Sequence, residues 1–445
     1  MNPLKNYFKL PLIYRVGAAF VLGIVLGVVL SLCKDASWVG TTVKVLSPFG
    51  TVLVSMLKMI VFPIIFFSLV MGAANLPLKK FGKLGTGVLL WYFCTSVFAA
   101  IFGCALALGL NPSMKGGVEQ AVENVAAITA KRAEGAGNGS FAEFINGLFT
   151  NPFEALASGN FLAIIIFSLL FGIAARVVLD RAMDSQTVTS VNTMLNIFDA
   201  AQKACFKIID WIMEYFPIGV FALTAVNFAQ HGVDLFGPYL QIAGCVIFGV
   251  LLMIFVIYPL IIYVFTRENP YKLLFRIKEP IITAFLTRSS AATLPISFKA
   301  AEQELHVKKE LSSFALPLGA TINMDGVCLH LPVFAILAAN MFGIEMSPVQ
   351  LAVLVVSIVF ASVGAGGIPG GSVFLLFMVL ANMGLDEGQT ALVAALALGI
   401  NPLLDMFETA CNVTGDNVCN YIIAKHNDLI EKTNAADSVE SSVNQ

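Results

Sequence analysis

Two stretches of this chain set groups able to bind ions and small polar molecules inside runs of hydrocarbon. The first is Gly319 to Gly326, Gly-Ala-Thr-Ile-Asn-Met-Asp-Gly, within an apolar run from Phe314 to Ala339. A charge at membrane depth costs about 2.5 to 3.5 kcal/mol on insertion scales, so something must offset it. A helix broken here would free backbone carbonyls to join Asn323 and Asp325 around a small cation. A kinked helix in which Asp325 only hydrogen-bonds its neighbours is the plainer alternative. The second stretch holds Asp405, Glu408, Thr409, Asn412 and Asp416, whose spacings of three, four and seven share one helical face. Three carboxylates in one stripe cannot face lipid. They must meet cations, donors or water, or else form a structural polar seam. Asn412-Val413-Thr414 has the form of a glycosylation acceptor, which membrane depth discounts.

The surrounding chain is 445 residues, 58% hydrophobic and 12% charged, with a mean hydropathy of +0.85. Soluble domains carry about 25% charge, so this is the composition of a polytopic all-α membrane protein. At about 20 residues per span the length accommodates about eight to ten spans. Such a composition excludes nucleic-acid binding. Eight cysteines lie mostly in apolar segments without a Cys-x-x-Cys pair, and read as buried small hydrophobes. His231, His306, His330 and His426 show no metal-ligand spacing. The run to Leu32 is too long for a cleaved signal and reads as a retained first helix.

Apolar segments fall at about 10–33, 43–76, 86–110, 152–179, 196–229 and 237–265, giving spans one to six. Between spans three and four, 111–150 is a polar, glycine-containing loop. With the N-terminus inside, most Lys and Arg collect on the cytoplasmic side. That sorting puts Lys272–Lys278 and Lys299–Lys309 on the same side, so the segment between them dips in and returns. Its tip is Thr287-Arg288-Ser289-Ser290-Ala291-Ala292-Thr293, too polar for a lipid-facing span. The segment from Ser347 to Gly384 behaves alike from the other face, because Ser362-Val363-Gly364-Ala365-Gly366-Gly367-Ile368-Pro369-Gly370-Gly371-Ser372 suits only a loop. Two re-entrant hairpins, each followed by one helix, have the form of an inverted repeat, and such repeats hold substrate where their tips meet.

Thr287-Arg288-Ser289-Ser290, Asn323-Met324-Asp325-Gly326, the glycine-rich second hairpin, and Asp405 with Asn412-Val-Thr-Gly-Asp416 together resemble the glutamate transporter family, the dicarboxylate/amino acid:cation symporters. The likeness covers nearly the whole chain. It implies eight transmembrane helices plus two re-entrant hairpins in an inverted-repeat, elevator-type transporter, and a transporter rather than an enzyme. The implied division is 1–83 scaffold (spans one and two), 84–110 transport domain (span three), 111–150 extracellular loop, 151–232 scaffold (spans four and five) and 233–426 transport domain. Within the last lie hairpin one at 273–305, helix seven at 309–342, hairpin two at 347–384 and helix eight at 388–425. A polar cytoplasmic tail at 427–445, expected to be mobile, completes the chain. The resemblance further implies a homotrimer in the lipid bilayer, set in a bacterial cytoplasmic (inner) membrane with both termini inside. Sodium is the implied coupling ion, at two or three sites, with no organic cofactor.

By the same resemblance one sodium site uses Gly319, Asn323, Asn412 and Asp416. A second uses Thr95 and Ser96 with Asn323 and Asp325, beside Tyr92. A third lies between Thr321 and Ser362, Val363 and Ala365; many relatives have threonine where Ala365 stands, so this site leans on backbone oxygens. Hard oxygen ligands suit sodium. Asp405 is implied to take the substrate's amino group, and Asn412, Ser289 and Ser290 its carboxylate, with Arg288, Val327, Thr409 and the Ile368-Pro369-Gly370-Gly371 tip around it. Acidic-substrate members carry an arginine one turn after the aspartate, where this chain has Glu408. A second carboxylate there would be repelled. The run Glu408-Thr409-Ala410-x-Asn412 is similar to the bacterial sodium/serine-threonine symporters, in which a glutamate can accept a hydrogen bond from a substrate hydroxyl or, protonated, donate one. The expectation is therefore import of a small neutral amino acid of the serine, threonine or alanine type. The alternatives are an acidic amino acid or C4-dicarboxylate, with sodium or protons, and a cationic amino acid paired with Glu408. An ion channel is the rival outside transport.

Overall fold

The computed structural model describes residues 10, 12–74, 82–112, 149–158, 161–363, 370–385 and 387–431. Among these, eight helical spans are long and apolar enough to cross a membrane. The first group comprises α1 (Leu12–Leu32), α2 (Ser37–Ala74), α4 (Pro152–Ser158), α5 (Phe161–Arg181) and α6 (Ser185–His231), with α3 (Gly82–Leu110) between them in sequence but packed elsewhere. Lipid tails are as apolar as leucine, so helices associate through close backbone approach instead of hydrophobic exclusion. Glycine supplies that approach. A Cβ on Gly23 would press Phe221 O and Thr224 of α6, and one on Gly27 would collide with Phe228 and Ala225. Arg15 adds a two-pronged ion pair to Glu214, Nη1–Oε2 2.7 Å and Nη2–Oε1 3.2 Å.

The remaining elements form the second group. α7 (Phe236–Leu252) runs through one π turn at Met253–Ile257 into α8 (Tyr258–Thr266). Pro259 lacks the N–H that would reach back to Phe255, and the Tyr271 hydroxyl donates to the Phe255 carbonyl at 3.2 Å instead. After α9 (Pro270–Arg276), α10 (Lys278–Thr287) and α11 (Ser290–Lys299) fold back on each other. Arg288 turns the chain in the left-handed region (φ 55°), and the Ser289 side chain caps α11 by accepting from Ala292 N. Lys299 and Glu279 close the far end at 3.3 Å. α12 (Lys309–Ile322) and α13 (Asp325–Met341) are one span interrupted at Asn323 and Met324, whose backbones leave the helical region. α14 (Pro348–Ser362) opens on a Ser347/Gln350 capping box, α15 (Gly371–Asn382) follows a left-handed Gly370, and α16 (Glu387–His426) completes the set. α16 is the axis of this group, touching α10, α12, α13, α7 and α15, while α3 lies along α13. Gly103 of α3 meets the Leu329 backbone.

Several boundaries differ from the hydropathy reading. α6 starts at Ser185, well before 196, because Asp184 caps it by accepting from Thr187 N; the added turns are polar, which hid them from an apolar scan. The segment read as 152–179 is two helices, α4 and α5. Most of the loop 111–150 and the end of the tail lie outside the described residues. The start of the tail is pinned rather than loose: Ile430 bridges Val307, Lys308 N donates to Leu429 O at 2.9 Å, and Glu431 N to His306 O at 2.8 Å. Nearby, Lys425 and Tyr421 of α16 both donate to Glu268. Partial burial of Glu268 works against its charge, yet those bonds hold its carboxyl below the ordinary range.

Replacing Gly27 by leucine should lower the thermal midpoint of the purified protein, overpacking of this kind costing about 1–3 kcal/mol. Gly17→Leu on the same helix, where a Cβ meets nothing within 4 Å, should leave it nearly unchanged. Equal midpoints in a thermal scan would show that the α1–α6 contact is not close-packed.

Candidate functional site

The polar stripe of α16 turns inward, with Asp405, Glu408, Thr409, Asn412 and Asp416 all buried. It meets two sets of partners at two levels. At the first, Asp405 Oδ2 accepts from Gly370 N at 2.9 Å and lies 3.9 Å from Arg288 Nη1. Both loop-borne groups therefore converge on one carboxylate, a backbone donor from the start of α15 and a guanidinium from the α10–α11 turn. The two levels are joined through Asn412, whose Oδ1 accepts from Gly326 N at 2.7 Å at the start of α13. Gly326 has no side chain to spare there, since a Cβ would run into the backbone of Glu408.

A cleft at this level is lined by Arg288, Ser290, Val327, Gly371, Asp405, Glu408, Thr409 and Asn412, with Met324 and Ser372 added. Its free volume is about 10 Å3, room for about one water, so the walls must part to admit anything larger. Gly370 stands at its edge through the Asp405 bond. Ser289 is spent on capping α11 and does not line the cleft. Ile368 and Pro369 lie outside the described residues.

At the second level Asp325 and Asp416 are both buried, and among the described residues no ion pair reaches either carboxylate. Asp325 accepts from Ser96 Oγ at 3.0 Å and from the Tyr258 hydroxyl at 2.7 Å. Asp416 Oδ1 accepts from Asn323 Nδ2 at 2.9 Å, and Asn323 Oδ1 in turn accepts from Thr95 at 3.3 Å. Gly319 leaves its space to Asp416 and to the hydroxyl of Tyr92, which itself donates to Ala315 O at 2.9 Å. Four separate elements, α3, α8, the α12–α13 break and α16, thus bring hard oxygens around two buried carboxyl groups. Neutral hydrogen bonds do not neutralise a carboxylate, and an oxygen-rich set of carboxylates, hydroxyls and carbonyls fits a small hard cation. Thr321 and Val363 line a different cavity, and the Ser362 hydroxyl donates to Val359 O at 2.8 Å within its own helix. Ala365 is outside the described residues.

Two residues of the site escaped the sequence reading. Tyr258 sits in an apolar span, where the only signal was that a buried tyrosine tip needs a partner. His330 carries its Nδ1 against Glu408 Oε1 in a buried contact. It lies three residues after Val327, and so on the face that Val327 turns to the cleft. Arg288 pairs with Asp405 and not with Glu408.

Residues 12–426 match the model of the sodium:dicarboxylate symporter family. The chain belongs to that family. Relatives include the human neutral amino acid transporter B(0), 31% identical over 89% of this chain and 77% of that protein. The serine/threonine transporter SstT of Bifidobacterium adolescentis is 32% identical over 89% and 86%, and the bovine excitatory amino acid transporter 3 is 29% identical over 96% and 87%. As a member of the symporter family the chain is a multi-pass membrane transporter and not an enzyme.

Tyr258→Phe tests the oxygen cluster directly. Loss of the hydroxyl leaves one oxygen of Asp325 buried without its donor and should destabilise the protein by about 1–3 kcal/mol, read as a lower thermal midpoint in purified protein. No change would mean that Asp325 is satisfied in some other way.

Proposed function

We propose that this chain is a sodium-coupled symporter that imports a small neutral amino acid of the serine, threonine or alanine type. The observation that carries the substrate class is Glu408, buried on the cleft beside Asp405 with the nearest guanidinium already on Asp405. Two like unit charges 4 Å apart repel by about 4 kcal/mol at an effective dielectric of 20. A substrate with a side-chain carboxylate would meet that repulsion at Glu408 with no free arginine to relieve it. A cationic side chain is disfavoured because His330 already occupies Glu408. The substrate's amino group goes to Asp405, and its carboxylate to Ser290, Asn412 and the backbone donors of the two loops.

Two sodium ions occupy the oxygen cluster, one by Asp416, Asn323, Asn412 and Gly319, the other by Asp325, Ser96, Thr95 and Asn323 next to Tyr92. A third sits by Thr321, Ser362, Val363 and Ala365. Coupling follows from shared parts: Asn412 bonds the first turn of α13, so ion and substrate order the same backbone. The protein works as a homotrimer. The α1–α2–α5–α6 group is its fixed scaffold, and the group around α16 carries the site across the membrane as an elevator, with the α14–α15 loop as the outer gate. Relatives named for neutral amino acid and serine/threonine transport support the substrate class.

Uptake into proteoliposomes tests the proposal: labelled serine should accumulate under an inward sodium gradient and be displaced by neutral amino acids but not by succinate, lysine or aspartate. Accumulation that persists when sodium is replaced by potassium would overturn the coupling, and passive current without accumulation would favour a channel. Asp416→Asn should raise the sodium concentration needed for half-maximal serine binding by about tenfold or more, roughly 1.4 kcal/mol; unchanged sodium activation removes that residue from the ion site. Glu408→Arg should move preference toward aspartate, seen as aspartate competing against labelled serine, and a variant that still takes only neutral amino acids would separate Glu408 from selectivity.

A further inference from the structure

Glu408 and His330 are among the most deeply buried polar side chains of the chain, 1% and 2% exposed. His330 Nδ1 lies against Glu408 Oε1, and apart from that contact neither carboxylate oxygen nor either ring nitrogen has a hydrogen-bond partner. The imidazole is held from behind by Phe334 one turn on, ring centroids 4.8 Å apart at 62°. Arg288 is engaged with Asp405, so among the described residues the basic group in contact with Glu408 is His330. The neighbouring lining on this side is Val327 and Thr409, and the Thr409 hydroxyl donates to its own helix at Asp405 O.

We infer that His330 is a specificity-positioning residue: by holding one oxygen of Glu408 it fixes the carboxylate so that the other oxygen accepts a hydroxyl from the substrate side chain. The imidazole Nδ1 contacts Oε1 and Phe334 packs edge-on against the ring, which leaves Oε2, on a residue that lines the cleft, as the oxygen His330 does not touch. A serine or threonine hydroxyl supplies the donor that Oε2 lacks. Alanine leaves that acceptor unsatisfied. A site built around such an acceptor rejects the analogue that lacks the hydroxyl more strongly than an apolar pocket rejects a missing methylene. The assignment rests on the small neutral amino acid proposed above and narrows it to hydroxyl-bearing side chains. His330 touches no substrate atom itself; it acts through Glu408.

The test is equilibrium binding of serine and of alanine to the purified full-length protein in saturating sodium. Wild type should prefer serine by about tenfold or more, the scale of one hydrogen bond to a charged group. His330→Phe, which removes the donor, should erase most of that ratio, whereas His330→Gln, which keeps an N–H, should retain part of it. A purely structural histidine would weaken both ligands alike and leave the ratio in place, and that result overturns the inference, as does a wild-type protein that binds serine and alanine equally. Should His330→Phe fail to fold, the Glu408→Gln background leaves no buried charge without its partner and carries the same comparison. There His330→Phe should leave the ratio of Glu408→Gln unchanged, and a further fall would overturn the coupling of the two residues. A wild type that binds neither amino acid, but takes lysine or aspartate, sinks the substrate class itself, an outcome distinct from loss of the histidine's role alone.

Discussion

The structure depends on keeping negative charge inside a low-dielectric interior. Asp325, Asp405, Glu408 and Asp416 are all buried, and each isolated carboxylate in such a place would be strongly disfavoured. The fold answers each differently. Asp405 receives a guanidinium and a backbone N–H from two loops, Glu408 receives an imidazole, and Asp325 and Asp416 are surrounded by hydroxyl and amide groups alone. The division separates a level where basic side chains contact the carboxyl groups from a level where, among the described residues, none does. The second level is where the coupling sodium of the proposed function would sit.

The backbone is shaped to serve these charges. Interrupting the α12–α13 span at Asn323 and Met324 frees polar backbone that a continuous helix would consume. The same interruption starts a new helix at Asp325, whose amide end then faces α16, and Gly326 N finds Asn412 there. Tight helix contacts hold the arrangement in register. Gly103 against Leu329 and Gly415 against Tyr258, Asn323 and Asp325 leave no room for a methyl group. Packing and electrostatics are thus settled by the same few glycines.

Much of this was legible in the sequence because charge in a hydrocarbon run is conspicuous. Asp325 and the α16 stripe announced themselves by type and spacing, and the break between α12 and α13 by Gly319 and Gly326. Legibility failed where the signal was ordinary. Tyr258 looks like any aromatic in an apolar span until its hydroxyl is seen on Asp325. His330 reads as one of four scattered histidines, and only the packing of α13 against α16 reveals its partner. The polar start of α6 was hidden because an apolar scan is blind to helix that continues beyond the hydrocarbon, and the pinned start of the tail because a single bridge leaves no periodic trace.

Gly326 meets the Glu408 backbone as a steric interlock, whereas Gly370 reaches Asp405 through one hydrogen bond. The two walls of the cleft therefore yield unequally. Helices α13 and α16 are in close backbone contact there, whereas Gly370 is held at Asp405 by one donor, beside the Ser372–Asn401 hydrogen bond of the first turn of α15. On the proposed binding mode the substrate's ammonium group would compete with Gly370 N for the same oxygen of Asp405, so that ligand and latch would share a single acceptor.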